Sequence, residues 1–195
     1  MKALSKETLA QLFTEARSHH GWSSQKVSDD TIKELYNLFK WGPTSMNTSP
    51  ARIVFVRSES EKEKLYPALM GLNVDQVKAA PVTAIVAFDE KFYDHLPTLF
   101  PAFDAKSMFD SNKSLSDVTA LRNGSLQGAY LMIAARSLGL DVGPMSGFDN
   151  AKVDEMFFKE TSWKSNFLCN IGFGDPSKLY PRGPRLDFGV ACKIV

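Results

Sequence analysis

The chain has few residues of the kinds that build disulfide frameworks or metal sites. It contains two cysteines and three histidines in 195 residues. Cys169 and Cys192 stand too far apart for a Cys-x-x-Cys motif, and no His or Cys has a metal-ligand spacing. We therefore predict two reduced thiols and no bound metal ion.

Long apolar runs are also missing. No segment approaches the ~20 consecutive apolar residues of a membrane-spanning helix. In the N-terminal stretch MKALSKETLAQLF, polar residues interrupt every apolar run, which is typical of an amphipathic helix and not of a signal peptide. We expect a cytoplasmic protein with no membrane partner.

An excess of charge of either sign is absent as well. Lys and Arg number 23 against 22 for Asp and Glu, so the chain has no general attraction for nucleic acid. It has no repeat, linker or low-complexity segment. With 44% hydrophobic and 23% charged residues, residues 1–195 are predicted to form a single globular domain.

Apolar periodicity predicts both helices and strands. Helices are expected at 5–17, at 28–41 after Ser28, over the charged stretch 59–70, at 73–80, from Ser114 or Ser116 to a stop at Gly139, and at 150–159 after Asp149. Strands are expected at 51–57, at 82–88 and at 165–174, with the second buried on both faces. Because helices alternate with strands at uneven spacing, we predict an α+β fold with a mixed central β-sheet flanked by helices.

Two segments do not fit this pattern. Residues 89–113 scatter aromatic side chains among charges and two prolines, which indicates a lid or a pocket wall. Residues 41–50, WGPTSMNTSP, place two prolines, a glycine and five hydroxyl or amide side chains between a helix and a strand. A connection of this kind needs only a few polar residues, so the stretch predicts that a ligand lies there.

Four segments, ARSHHGW, WGPTSMNTSPARIVFV, GLDVGPMSGFD and PRGPRLDF, follow one another along the chain. Together they resemble the FMN-dependent nitroreductase family over almost the whole sequence. The motifs KWGPTS, NxSPARIVF, APVTAIVA, GPMSGFD and SKLY are more closely similar to its malonic semialdehyde reductase (3-hydroxypropanoate dehydrogenase) branch of pyrimidine utilisation. The resemblance implies a nitroreductase-like, intertwined homodimer with FMN at each subunit interface and NAD(P)H as co-substrate.

The same resemblance assigns a phosphate end of the FMN site. It places Arg17 and Ser18 on the phosphate, His20 at a position that is often basic, and Arg182 or Arg185 as further cations. From the residues alone, Arg17 could equally be a cation that stabilises a helix C-terminus. Arg182 and Arg185 could equally form a solvated edge.

The resemblance assigns residues 41–50, the polar turn, to the flavin of the other subunit. The resemblance implies that Pro43, Thr44, Ser45 and Asn47 hydrogen-bond its phosphate, ribityl chain or ring edge. The alternative is a turn whose hydroxyl groups serve their own backbone. Residues 47–51 depart from the usual Asn-x-Gln-Pro-Trp of the family, and the loss of that Trp puts the shape of the substrate end in doubt.

A further loop is assigned to the flavin ring. The resemblance places Pro144, Met145, Ser146 and Gly147 along the ring, with the backbone N–H groups of the last two directed at flavin N5. Many family members have Glu where this chain has Ser146. Asn73 is assigned to the pyrimidine edge of the ring; on its own it would be an ordinary helix cap.

The implied activity is that of an FMN-dependent NAD(P)H oxidoreductase that reduces malonic semialdehyde or a similar small-molecule acceptor by a ping-pong reaction. A nitroaromatic or quinone reductase, a non-catalytic flavin-binding protein and an enzyme that consumes FMN are the alternatives. No catalytic side chain is identified, because flavin N5 carries the hydride. Arg52 or Arg122 could hold a substrate carboxylate, although Arg122 could instead pair with Asp117.

Overall fold

The computed structural model of the protein describes residues 2–195. Its four strands form one sheet in the order β1-β2-β4-β3. The strands are β1 Ala51–Val56, β2 Val82–Asp89, β3 Asp141–Met145 and β4 Trp163–Gly172. Each neighbouring pair is antiparallel.

The predicted α+β class is confirmed, but the prediction of a mixed sheet is corrected. Within residues 2–195, parallel pairing is limited to an isolated bridge between Ser18 and Val142. The sequence spacing suggested crossover connections, whereas the short helices after β1 return the chain antiparallel beside it. Periodicity identifies a strand without fixing its direction, which is why this feature was missed.

Nine α-helices surround the sheet in the described residues. They are α1 Lys6–Leu9, α2 Asp29–Phe39, α3 Glu59–Leu65, α4 Asn73–Ala79, α5 Leu96–Leu99, α6 Ala105–Asp110, α7 Lys113–Ser137, α8 Asn150–Phe157 and α9 Phe188–Ala191. The predicted Ser28 cap of α2 and Asp149 cap of α8 are confirmed. The cap of α7 is Asn112 rather than a serine, and Gly139, with φ 74°, follows its end as predicted.

The core lies on both faces of β2. On one face, Val86 packs in a cluster with Leu131 and Ala135 of α7. On the other, Ile85 packs with Leu65 of α3 and other apolar side chains. The prediction of a central strand buried on both faces is confirmed, because residues 82–87 are all buried.

Strand β3 was not predicted from the sequence. Its Val142 lies opposite Ile171 of β4, and its Pro144 lies opposite Cys169. A proline is tolerated there because β3 is an edge strand. The short Asp-Val-Gly-Pro-Met stretch has no alternating pattern, so only pairing with β4 makes it a strand.

Residues 89–113 are more regular than the sequence suggested. They form a turn of 3₁₀-helix at Phe92–His95 and the helices α5 and α6. Phe92 and Phe109 are buried, and their rings meet edge to face with centroids 5.0 Å apart. This segment is a folded wall with its own apolar cluster.

Among residues 2–195, no helix is both long enough and apolar enough to cross a bilayer. The longest, α7, has 25 residues and buries several polar side chains.

Candidate functional site

The segment after α1 lies along the edge of the sheet beside β3. Ser18 forms its parallel bridge with Val142, and the His19 N–H donates to the Val142 carbonyl at 2.9 Å. A Cβ on Gly143 would lie 2.3 Å from the His19 carbonyl oxygen. Glycine at this position therefore permits the close backbone approach that fixes Arg17 and Ser18 next to β3.

The C-terminal tail, residues 179–195, returns to the same place. The Arg17 guanidinium donates to the Tyr180 carbonyl, and Arg182 donates to the Ala16 carbonyl at 3.1 Å. The rings of His20 and Tyr180 have centroids 5.2 Å apart. The structure thus brings Arg17, His20 and Arg182 into one cluster.

Arg185 is not brought into that cluster by any recorded contact. Its Nη1 donates to the carbonyls of Gly183 and Pro184, both in its own stretch of chain. Of the two predicted tail arginines, only Arg182 is bonded to the Arg17 segment.

His19 and Asp141 lie next to this cluster, although the sequence analysis assigned a role to neither. The His19 side chain is buried, with Nε2 3.3 Å from Asp141 Oδ1. Burial lowers the pKa of His19, while Asp141 acts in the opposite direction. Gly174 donates its N–H to Asp141 Oδ2 at 2.9 Å. This burial depends on packing against β3, so no sequence pattern reveals it.

Asn73 contacts the loop that follows β3. Asn73 Nδ2 donates to the Gly147 carbonyl at 2.8 Å, and the Met70 N–H donates to the same oxygen at 2.9 Å. A Cβ on Gly147 would lie 2.7 Å from Asn73 Nδ2. Within residues 2–195, the N–H groups of Ser146 and Gly147 have no acceptor. The backbone N–H groups of Ser146 and Gly147 therefore lie beside Asn73 as two donors without an acceptor in the described chain.

The polar turn has an unusual backbone. Met46 and Asn47 have φ 50° and Ser49 has φ 41°, and these are the non-glycine residues with positive φ in the described chain. Such conformations cost about 1–3 kcal/mol each and persist where surrounding structure enforces them. Their concentration within four residues supports the prediction that this turn has a function.

Buried amides of α7 hold the turn. Asn123 Oδ1 accepts the Ser45 N–H at 2.8 Å, and Gln127 Oε1 accepts the Ala51 N–H at 2.9 Å. Sequence reasoning missed both amides; their signal was polar residues within the packing face of a long helix. They are positioning residues for the turn.

The alternative, a turn whose hydroxyl groups serve their own backbone, describes Thr44, whereas Asn47 bonds to a carbonyl outside the turn. Thr44 Oγ1 accepts the Ser49 N–H at 3.1 Å, and Asn47 Nδ2 donates to the Leu99 carbonyl at 2.9 Å. The hydroxyl of Ser45 makes no such bond, and both Ser45 and Pro43 are exposed. Within one chain, no recorded hydrogen bond joins this turn to residues 17–20, 73 or 144–147.

The two candidate substrate arginines lie in different surroundings. Arg52 donates to Asp89 Oδ2 at 2.7 Å, and this ion pair is largely buried. The charge of Arg52 is therefore neutralised by a carboxylate of its own chain. Arg122 is exposed on α7 and pairs with no carboxylate of residues 2–195. Asp117, its suggested partner, pairs with Lys113 instead, at 2.7 Å. Of the two, Arg122 is the one whose guanidinium has no carboxylate partner among the described residues.

Replacing Asn123 with Ala should lower the free energy of unfolding by about 1–3 kcal/mol, because the Ser45 N–H and the Thr119 carbonyl each lose the buried Asn123 side chain as a partner. The exposed Ser125→Ala on the same helix is the control, with a change within about 0.5 kcal/mol. Urea titration measures both. Equal losses would show that Asn123 does not hold the turn.

Comparison with known proteins gives a consistent result. The sequence model of the nitroreductase family matches residues 4–174. A predicted nitroreductase from Exiguobacterium sibiricum, solved in complex with FMN, has a TM-score of 0.83 and 21% identity, covering 100% of this chain and 99% of its own. A predicted NAD(P)H:FMN oxidoreductase from Staphylococcus epidermidis has a TM-score of 0.84 and 18% identity, covering 100% of both chains. The enone reductase CLA-ER of gut-bacterial fatty acid saturation has a TM-score of 0.79 and 19% identity, covering 98% of this chain and 100% of its own.

Proposed function

Because the chain belongs to the nitroreductase family, we propose that it is an FMN-dependent NAD(P)H oxidoreductase. The observation that carries this proposal is the pair of unsatisfied N–H groups at Ser146 and Gly147, fixed beside Asn73. FMN in the Exiguobacterium sibiricum protein and the assignment of the Staphylococcus epidermidis protein support it.

The chemistry of the donor set fits FMN at both ends. Arg17 and Arg182 offer guanidinium groups that match the geometry of a phosphate. At the other end, Asn73 and the N–H groups of Ser146 and Gly147 match the polar edge of a flat ring. His20 Nδ1 is buried without a hydrogen-bond partner, so the phosphate end still has an unused polar atom.

The protein's own contribution is binding, orientation and charge stabilisation. When bound, FMN supplies hydride transfer between NAD(P)H and an acceptor. Fixed N–H groups stabilise negative charge that develops nearby, and they need no reorganisation because Asn73 and Met70 already hold the Gly147 carbonyl. Arg17 and Arg182 would hold the phosphate and so orient the cofactor.

We further propose that the site is completed in a homodimer. The polar turn and the cluster around Arg17 form separate half sites in one chain, so a second chain can supply the missing half. The strained backbone of the turn supports this arrangement, and so do the exposed side chains of Pro43 and Ser45, which make no hydrogen bond within their own subunit.

A groove beside β1 provides a surface for the second subunit. It has a volume of about 1260 Å³, and Ile53 and Phe55 of β1 line it together with Trp41 of the α2 end. Strand β1 is at the edge of the sheet. The carbonyl of Pro50, just before β1, accepts the N–H of Asp89 in the neighbouring strand β2. Residues that hydrogen-bond to the neighbouring strand alternate with residues that do not along an antiparallel pair. The backbone N–H and carbonyl groups of Ile53 and Phe55 therefore face the groove and not β2.

The tail supplies apolar side chains to fill such a groove. Leu186, Phe188, Val190 and Ile194 are 63–87% exposed. From residue 186 onward, the recorded hydrogen bonds lie within the tail itself. Exposed apolar side chains of this number mark an interaction surface, so we propose that each tail covers the partner subunit.

For the acceptor, we propose a small carbonyl compound that carries a carboxylate, with malonic semialdehyde as the specific candidate. The motifs shared with that branch and the unpaired guanidinium of Arg122 support this choice. Arg122 would pair with the carboxylate of such an acceptor.

The function can be tested by reduction without oxygen. FMN-loaded protein should lose its oxidised flavin absorbance completely when NADH or NADPH is added anaerobically, and malonic semialdehyde should then restore it. Restoration by nitroaromatics or quinones alone would refute the carbonyl acceptor. Absence of bleaching with both nucleotides would refute the oxidoreductase itself.

A further inference from the structure

A second cavity lies at the far side of the sheet from the Arg17 cluster. Its volume is about 540 Å³, and it opens where β1 ends and β2 begins. Its polar wall consists of three cations, three hydroxyl groups and one amide, which are Lys26, Arg57, Lys62, Ser23, Ser24, Ser58 and Gln25. None of its lining residues is a carboxylate.

Nearby acids do not neutralise this wall completely. Asp29 pairs with the Arg57 guanidinium, whose other nitrogen donates to the Val27 carbonyl at 2.9 Å. Glu59 lies close enough to Lys62 to act on it electrostatically, but it accepts the Tyr66 hydroxyl at 2.7 Å. The three cations of the cavity therefore have two carboxylates near them, those of Asp29 and Glu59, and neither carboxylate lines the cavity.

Lys62 is the buried cation of this cavity. Its side chain is buried, with 5% of the residue exposed, and its ammonium group donates to the Ala80 carbonyl. Burial lowers the pKa of Lys62, opposed by Glu59. A buried ammonium has three donors and is costly unless an anion accompanies it, and the recorded contacts use only one of the three.

The cavity is distinct from the proposed FMN site. The Arg17 cluster adjoins β3, whereas the cavity adjoins the end of β1 at the opposite edge. Three strand spacings separate these edges, which is about 14 Å. Residues 18–27 cross the end of the sheet between them, so one segment contributes to both places with different residues.

We propose that this cavity binds a phosphate-bearing small molecule, with Lys26, Arg57 and Lys62 paired to the phosphate and the serine hydroxyls donating to its oxygens. Ammonium and guanidinium groups form strong, charge-assisted bonds with phosphate. The volume falls within the roughly 300–1,000 Å³ of ordinary ligand pockets, so it accommodates an organic group beyond the phosphate. This site is separate from the oxidoreductase activity proposed above.

Calorimetric titration with ribose 5-phosphate, inorganic phosphate and neutral ribose tests the site. Protein saturated with FMN is used, so that the Arg17 cluster is not available to the added anion. We expect ribose 5-phosphate to bind at one site per chain and ribose not to bind. Tighter binding of ribose 5-phosphate than of inorganic phosphate would identify a phosphorylated metabolite as the ligand, and equal affinity would identify phosphate itself.

Variants locate the binding. Lys26→Ala and Lys62→Met should each weaken ribose 5-phosphate binding about tenfold, the loss expected for one charge-assisted contact. Lys64→Ala is the matched control, because Lys64 is on the same helix but pairs with Glu61 outside the cavity. If Lys62→Met does not fold, the exposed Lys26→Ala carries the test. No binding by wild type, or equal binding by wild type and Lys26→Ala, would overturn the proposal.

Discussion

Deleting residues 186–195 is expected to raise the dissociation constant of the proposed dimer by more than about 100-fold. Leu186, Phe188, Val190 and Ile194 are largely exposed in one chain, and burying such a side chain is worth about 1.5–3 kcal/mol. Loss of two such contacts already exceeds two decades. Sedimentation velocity over a dilution series measures the change.

The same deletion should weaken FMN binding, because each site needs groups from two chains. FMN and dimerisation are then linked, so FMN must tighten the dimer by the same free energy by which the dimer tightens FMN. Lys193→Ser is the control, since it alters a charged residue of the same tail and removes no apolar contact. A truncated chain that dimerises like the wild type, or a monomer that binds FMN with full affinity, would disprove the shared site.

Arg17→Ala should weaken FMN binding by about 10- to 100-fold while leaving riboflavin binding nearly unchanged. The loss corresponds to one charge-assisted contact of about 1.5–3 kcal/mol. Riboflavin lacks the phosphate, so it does not depend on this guanidinium. Fluorescence quenching of the two ligands, measured on the same preparation, gives both constants.

Arg185→Ala is the matched control for this experiment. Its guanidinium bonds to its own neighbouring carbonyls, so FMN affinity should stay within about threefold, as for ordinary surface substitutions. Equal weakening of FMN and riboflavin by Arg17→Ala would show that Arg17 supports the fold through Tyr180 and not the phosphate. A larger loss of FMN affinity in Arg185→Ala than in Arg17→Ala would show that the phosphate binds nearer to Arg185.

Much of the secondary structure could be predicted because its signals are local. The side chains of Ser28 and Asp149 accept hydrogen bonds from N–H groups in the first turn of the helices that follow them. The apolar run VTAIVAF predicts β2, and residues 82–87 are all buried. Strand β3 could not be predicted, because a five-residue edge strand with Pro144 shows no periodicity. The direction of the strands was missed for a related reason: it is a property of pairing, not of any one segment.

The candidate site divides in the same way. The sequence motifs named Arg17, Asn73 and Gly147, and the structure adds the bonds that bring Asn73 to Gly147 and the tail to the Arg17 segment. Asn123 and Gln127 were missed, because a buried amide acquires its role only from the backbone that reaches it. Arg52 and Arg122 looked alike in sequence, and only the position of Asp89 separates them.

The sequence by itself determined the family, the main helices, the central strand and the polar turn, since these depend on neighbouring residues or on motifs read in order. The tertiary structure decided which polar groups remain unsatisfied. Burial of His19 and Lys62, the paired state of Arg52 and the open N–H groups of Ser146 and Gly147 all depend on segments far apart in the chain. Hydrogen-bond satisfaction is a sum over three-dimensional neighbours, and no local pattern contains that sum.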